Sequence, residues 1–410
     1  MSERATNYCR CCHSEDMLMF LPLGLHGPAQ GFLKLSQIDD ETLFELNTHA
    51  CLQCGLIQVP NRIPPDFFRH YLYVPSTATQ MHKHFGDLAG LLKERFLTAP
   101  GNLFVDVGCN DGLLLKAAHD IGCKTLGIDP AENIGQLAKD KGLDVISEYF
   151  SPEIAKIARD QYGAATVITS NNTFNHIDDL DNFMQGVKIL LADNGVFVVE
   201  VPQAIEYMNK LMFDNIYHEH LSVFSVKSLK DLYARFDMEI FDIDPLSVQG
   251  GSMRVYARHR QDGATQPAKI GVWLEKERQI GLLDRDAYAR YKAKVETIRD
   301  ELLDILRDIK AQGKKVIGYG AAAKGNTLLN YYQIGSDTLD FIADKNQLKH
   351  GMYSPGMHIP VVSTDEIARA KPDYMLILAW NLADEIMAQQ SDFKAGGGRF
   401  IIPFPKPVII

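Results

Sequence analysis

Leu103-Phe104-Val105-Asp106-Val107-Gly108-Cys109-Asn110-Asp111-Gly112 decides the reading of the fold. A short, mostly apolar run ends in a loop bracketed by glycines, and the apolar-periodic Leu113-Leu114-Leu115-Lys116-Ala117-Ala118 follows at once. A strand that turns tightly and reopens as a helix begins a βαβ unit. Similar runs at Lys124-Thr125-Leu126-Gly127-Ile128-Asp129, Thr166-Val167-Ile168-Thr169 and Gly195-Val196-Phe197-Val198-Val199-Glu200 alternate with helical stretches. That alternation predicts a parallel sheet covered on both faces. A second series starts at Lys314-Lys315-Val316-Ile317-Gly318-Tyr319-Gly320 and continues through Leu339-Asp340-Phe341-Ile342-Ala343-Asp344 and Tyr374-Met375-Leu376-Ile377-Leu378-Ala379-Trp380. Between the two α/β units, Tyr288, Tyr291, Val295, Ile298, Leu302, Ile305 and Ile309 recur at three-four spacing and predict a long packing helix.

The chain has 410 residues, with 42 basic and 52 acidic side chains for a formal charge of −10. Such a balance excludes a generic nucleic-acid binder, which needs a basic footprint to displace phosphate counterions. The 46% hydrophobic and 23% charged composition is that of a globular protein, at a length that predicts more than one core. No apolar run approaches the roughly 20 residues that span a bilayer, and Met1-Ser2-Glu3-Arg4 leads into Cys and His rather than an apolar signal core. A cytoplasmic location without membrane partners is expected.

Four of the seven cysteines form two pairs, in Cys9-Arg10-Cys11-Cys12 and Cys51-Leu52-Gln53-Cys54-Gly55-Leu56. Each contains a Cys-x-x-Cys step, and two such knuckles make a four-thiolate structural zinc site. The long gap between them requires a hairpin excursion, and Cys11 leaves the first ligand pair ambiguous.

The first glycine loop carries Asp106 at its start, and Asp129, ending the next strand, is placed to accept both hydroxyls of a ribose. An acidic loop suits a cationic cofactor without a pyrophosphate, which favours S-adenosylmethionine over NAD. Glu148-Tyr149-Phe150 follows the third strand signal and offers a wall for an adenine. The expected cofactor set is Asp106, Gly108, Asn110, Gly112, Asp129, Tyr149, Phe150 and Asn171.

Tyr217-His218-Glu219-His220 lies just past the fourth strand signal, where parallel sheets place their chemistry. Two imidazoles, a carboxylate and a phenol supply a base near neutral pH, an orienting partner and a donor to a developing oxyanion. That equipment removes a proton α to a carbonyl. Zinc on His218 and His220 is the rival reading, and a plain surface pair is a third. His176 follows another strand end and can face the same cleft.

The second loop, Gly318-Tyr319-Gly320-Ala321-Ala322-Ala323-Lys324-Gly325-Asn326-Thr327, also opens a helix and adds a cation. It fits a phosphate or pyrophosphate. It matches the dinucleotide pattern Gly-x-Gly-x-x-Ala with Asp344 about 20 residues on, so NAD and a nucleotide sugar both remain open.

Taken in order, the cysteine knuckle, the first glycine loop, Tyr217-His218-Glu219-His220-Leu221, Gln249-Gly250-Gly251-Ser252-Met253-Arg254-Val255 and the second glycine loop resemble the zinc-containing nucleotide-sugar C-methyltransferases. These methylate C3 of 4-keto-deoxyhexoses with S-adenosylmethionine, and the resemblance covers essentially the whole chain. It implies zinc ligands Cys9, Cys12, Cys51 and Cys54, and a C-terminal Rossmann-like domain that holds the nucleotide sugar rather than NAD. His220 matches the presumed base, with Tyr217, Glu219 and His176 lining the site. Tyr71 and Tyr73 match a tyrosine-rich stretch that reaches the cleft, and Lys324, Gly325, Asn326, Thr327 and Asp344 complete the expected substrate set. The expected architecture is α/β: a zinc-binding domain over 1–72, a Rossmann-like methyltransferase domain over 73–245 and a nucleotide-sugar domain over 246–410. An NAD-dependent nucleotide-sugar dehydrogenase or epimerase and a non-catalytic zinc-stabilised binding protein are the alternatives.

Overall fold

The computed structural model describes residues 8–61, 63, 64, 67, 69, 74–77, 79–263 and 265–410, so Tyr71 and Tyr73 lie outside the described residues. The expected hairpin between the cysteine pairs is present. Strands β1 (Met17–His26) and β2 (Phe44–Cys51) pair antiparallel, and β3 (Ile57–Gln58) joins β2. The next neighbour in this sheet comes from far along the chain: Ser222–Val223, immediately after the histidine segment.

The central sheet contains β4 (Leu103–Val107), β5 (Lys124–Ile128), β6 (Val145–Ile146), β7 (Ala165–Asn171) and β8 (Leu191–Pro202), all parallel. Ser222–Val223 is β9. The central sheet is extended by β10 (Met238–Leu246) and β11 (Ser252–His259), which pair antiparallel at its edge in the order β10-β11-β8-β7-β4-β5-β6. The boundary drawn from sequence at 245/246 therefore falls inside β10, one residue before its end, and leaves β10 and β11 of one sheet on opposite sides of it. Every residue of β4 is buried, as a strand covered on both faces requires. Strand order reverses at β4, with β5 on one side and β7 on the other, so a crevice opens beyond the carboxyl ends of β4 and β7.

The C-terminal sheet, β12 (Val316–Tyr319), β13 (Ile342–Asp344), β14 (Val361–Ser363), β15 (Tyr374–Ile377), β16 (Arg399–Ile402) and β17 (Val408–Ile409), has the order β14-β13-β12-β15-β16-β17. It is parallel except for β17 and reverses at β12. The long helix spans Arg285–Ala311 and is capped by Asp284, which accepts from the Asp286 amide at 3.0 Å. It buries six of the seven expected stripe residues; at the seventh step Leu306 is buried and Ile305 only partly so. One apolar cluster contains Leu21 and Leu46 of the hairpin, Tyr288 and Leu302 of the long helix, and Ile342 and Leu376 of the C-terminal sheet. The three units thus share a core. Among the described residues no helix is long and apolar enough to cross a membrane.

Gly325 lies in the helix Ala323–Tyr332, where an added Cβ would stand 2.7 Å from the Leu378 Cβ. The close approach of helix and strand depends on that missing carbon. Gly325→Ala should cost about 1–3 kcal/mol from overpacking, read as a lower urea midpoint with an unchanged slope.

Candidate active site

The zinc knuckle is built first by the chain. The amide of Gly55, at φ +76°, donates to the Cys51 carbonyl at 2.9 Å, which closes the second knuckle and uses the glycine to turn. Four thiolates around one zinc at ~2.3 Å place their sulfurs ~3.8 Å apart. The Cys9 and Cys54 sulfurs are 3.5 Å apart, those of Cys12 and Cys51 3.6 Å, and all four fall within 4.8 Å of one another. This donor set fits zinc. Cys11 is buried in the core outside the group, which resolves the ambiguity of the first pair.

In the first glycine loop, Gly108 has φ +79°, and a Cβ there would meet the Thr173 Oγ1 at 2.1 Å. The loop after β4 therefore lies directly against the turn after β7. Gly112, at φ +77°, opens the helix Leu113–Asp120, and Asn110 holds φ +49°. Asp129 braces this arrangement: its carboxylate accepts from the Asn110 amide at 2.8 Å and the Ala131 amide at 2.9 Å. One lone pair on each oxygen is left for a diol. Asp106 is buried and accepts from the Thr169 hydroxyl at 2.6 Å; burial pushes its carboxyl up to about 7. Asn171, at the end of β7, has no partner among the described residues on either side-chain polar atom. Tyr149 lies under the Arg69 guanidinium, 5.6 Å from the ring centroid. Phe150 is half-buried: it stands edge-on to Phe183 at 4.9 Å, and its ring occupies the space a Gly186 Cβ would take.

The second segment reaches the same crevice. Nδ1 of His220 faces the Asn215 carbonyl at 2.9 Å, so it carries the proton. Nε2 is left as a lone pair and accepts from the Tyr217 hydroxyl at 2.5 Å. Burial, His176 and the Lys324 ammonium all hold the His220 imidazole well below its ordinary value, which keeps it neutral. The His176 ring centroid is 4.9 Å from that of His220, and burial lowers His176 to about 4. The structure brings these three side chains together.

Glu219 differs from its expected role. Its carboxylate accepts from the Gln30 amide at 2.8 Å, and burial pushes it up to about 7. The group that orients the imidazole is the Asn215 carbonyl. His218 turns away to the Glu45 carbonyl, at 3.1 Å from its Nε2. The two imidazoles thus bond to separate carbonyls, and among the described residues the four cysteines form the one group of three or more side chains placed to share a metal.

The second glycine loop divides in function. Lys324 is buried, its ammonium 5.9 Å from the Trp380 ring centroid; burial lowers its proton affinity and Asp214 opposes that. Asn326 donates to the Ala29 carbonyl at 2.7 Å and Thr327 to the Ile216 carbonyl at 3.3 Å, binding this helix to the zinc unit and to the histidine segment. Gly325 is packing. Asp344 repeats the part of Asp129, accepting from the Ala321 amide at 2.6 Å and the Asn346 amide at 2.7 Å. Lys324 and the unpartnered Oδ1 of Asn326 remain as the loop's polar contribution.

Three residues escaped the sequence reading. Asp214 accepts from the Trp380 indole at 2.5 Å and is pushed up to about 6 by burial. Asn215 and Asn175 are buried with no partner among the described residues on either side-chain polar atom. Asn215 neighbours the quoted histidine segment, but nothing local marks its carbonyl as the imidazole's partner. The Asp214–Trp380 contact joins positions 166 apart in sequence, so no spacing announces it.

Comparison with known proteins agrees with this organisation. Residues 9–68 match a family model described as a zinc binding domain, 81–242 a methyltransferase domain, and 247–405 a C-methyltransferase C-terminal domain. The C-methyltransferase NovU of Streptomyces niveus is 36% identical over 99% of this chain and 97% of its own. The chain belongs to this C-methyltransferase family. Its members' S-adenosylmethionine-dependent chemistry places this C-methyltransferase among enzymes rather than binding proteins, and the dehydrogenase reading falls away. A ubiquinone biosynthesis O-methyltransferase of Bordetella avium (strain 197N) is 29% identical over 27% of this chain and 43% of its own. The magnesium protoporphyrin IX methyltransferase of Synechocystis PCC 6803, solved with S-adenosylmethionine, aligns with 43% of this chain and 79% of its own at 14% identity and a TM-score of 0.33.

For this C-methyltransferase, Cys12→Ser should lose the zinc of the knuckle, whereas Cys11→Ser should retain one ion per chain. Metal analysis of the two purified variants checks the ligand assignment.

Proposed function

We propose that the protein methylates C3 of a nucleotide-linked 4-keto-6-deoxyhexose through an enolate, with His220 as the base. The observation that carries this reading is the His220 Nε2: a neutral imidazole's lone pair that faces the Tyr217 hydroxyl, with its tautomer held by the Asn215 carbonyl. A ketone at C4 acidifies the C3 hydrogen. His220 takes that proton, and the C–H electrons pass into an enolate whose charge rests on the C4 oxygen.

Tyr217 is placed to serve that oxygen. Its hydroxyl occupies the base's lone pair in this structure, and on arrival of substrate it can turn its proton to the enolate while Nε2 receives the proton from C3. His176, within stacking distance of His220, disfavours a second positive charge in the pair, and burial holds both imidazoles in the neutral form. S-adenosylmethionine, when bound, supplies the electrophilic methyl. The acidic crevice suits it: Asp106 and Asp129 are both buried carboxyls raised by desolvation, which a cation would return to the charged form. Asn171 and Ser170 offer unpartnered polar atoms beside it. Lys324 and Asn326 are the groups offered to an anionic nucleotide diphosphate, and the buried cation supports a substrate carrying phosphate. Methyl transfer then needs alignment more than further chemistry.

Nucleotide 4-keto-6-deoxyhexoses incubated with methyl-deuterated S-adenosylmethionine should acquire the label on a sugar carbon, located by mass-spectrometric fragmentation. Label on oxygen or nitrogen would overturn the enolate route. His220→Asn should slow exchange of the C3 hydrogen with deuterated water by about 10²–10⁴-fold while cofactor affinity stays within about twofold. Surviving exchange would show the base to be misassigned.

The pH dependence of cofactor binding follows from Asp106. Its carboxyl, at about 7 in the free protein, must lose a proton to face a cation, so affinity should rise from pH 6 to pH 8 and then level. Titration calorimetry in buffers of different ionisation heat should detect that proton's release, and Asp106→Asn should flatten the profile.

A further inference from the structure

Arg10 stands between the knuckle cysteines Cys9 and Cys12, yet its side chain leaves the knuckle and is almost fully buried, with 2% of it exposed. Its Nε donates to the Asp178 carboxylate at 3.0 Å, and its Nη1 to the Leu221 carbonyl at 3.4 Å. Asp178 comes two residues after His176, and Leu221 directly after His220. One guanidinium therefore touches both of the loops that carry the facing imidazoles.

We propose that Arg10 is a positioning residue that sets His176 and His220 against each other, so that the geometry of the base depends on the zinc knuckle. The inference rests on the reading of His220 as the base. A guanidinium is a rigid planar fork whose donors cannot move independently, so its two contacts fix one distance between the loops. The fork is itself held in place: the Arg10 amide donates to the Gln58 Oε1 at 3.0 Å, and Gln58 donates from Nε2 to the Tyr8 carbonyl at 2.9 Å. The Leu221 carbonyl takes a second bond from the same unit, the Val59 amide at 2.9 Å. Lysine cannot copy this, because a single ammonium on a flexible stem does not present two donors at a fixed separation.

The test uses the zinc-loaded full chain carrying Arg10→Lys or Asp178→Asn. Zinc content and S-adenosylmethionine affinity should match the parent in both. The imidazole ¹⁵N resonances of His220 and His176, recorded without substrate, should shift in both variants. The kcat for C3 hydrogen exchange should fall by roughly 10–100-fold with KM little changed, as expected when a reacting group is misplaced by about 1 Å. Parental resonances with parental kcat, or a change confined to KM, would overturn the proposal. If Arg10→Lys loses zinc, Asp178→Asn decides, since it leaves the cysteine pairs intact. If the parent itself shows no exchange, the His220 reading fails while the substrate-free resonances still report whether Arg10 positions the imidazoles.

Discussion

The pairing of β3 with β9 is the constraint on which the active site depends. Ile57 lies opposite Val223 and Gln58 opposite Ser222, so the sheet of the zinc unit is completed by residues that immediately follow the histidine segment. The segment itself is tied to the same unit residue by residue: His218 to the Glu45 carbonyl, Glu219 to the Gln30 amide, Leu221 to the Val59 amide. Each such bond contributes about 1 kcal/mol net, but together they remove the freedom of a loop that would otherwise sample many positions. A zinc knuckle is an economical way to anchor them, because four metal–sulfur bonds stiffen a unit too small to rely on its own core.

Burial governs the electrostatics of the cleft in one direction. It pushes Asp106 and Glu219 up to about 7 and Asp214 to about 6, and it lowers His176 and His218 to about 4. Every shift favours the uncharged form, so the cleft holds neutral imidazoles and partly protonated acids near neutral pH. Folded proteins leave few buried polar atoms without partners. Here Asn171, Asn175, Asp214, Asn215, Glu219 and Asn326 each keep at least one.

Much of this was legible because its signals are local. Two strand–glycine–helix steps announced two parallel sheets, and the structure adds that their second-strand acids, Asp129 and Asp344, brace their glycine loops in the same way. The cysteine steps named the metal site, and three-four spacing named the long helix. What was not legible has physical causes. Tyr149 and Phe150 are adjacent and aromatic, but chain direction sends one toward Arg69 and the other against Gly186. Glu219 has the right chemistry beside an imidazole, yet its neighbour across the cleft is the Gln30 amide. The β10–β11 pair carries no parallel-sheet pattern, so the central sheet extends beyond the boundary drawn for it.

By itself, the sequence determined whatever depends on spacing along the chain: the α/β class, two glycine loops, a four-thiolate site from two cysteine pairs, and a phenol and imidazole close enough to share a proton. Only the tertiary structure decided which groups meet across the chain. It put the Asn215 carbonyl on His220, Asp214 on Trp380, Lys324 within electrostatic reach of His220, and the zinc unit's strand beside the histidine segment. Those contacts join units through a shared core, and a residue's desolvation or hydrogen-bond partner depends on what packs against it rather than on its neighbours in sequence.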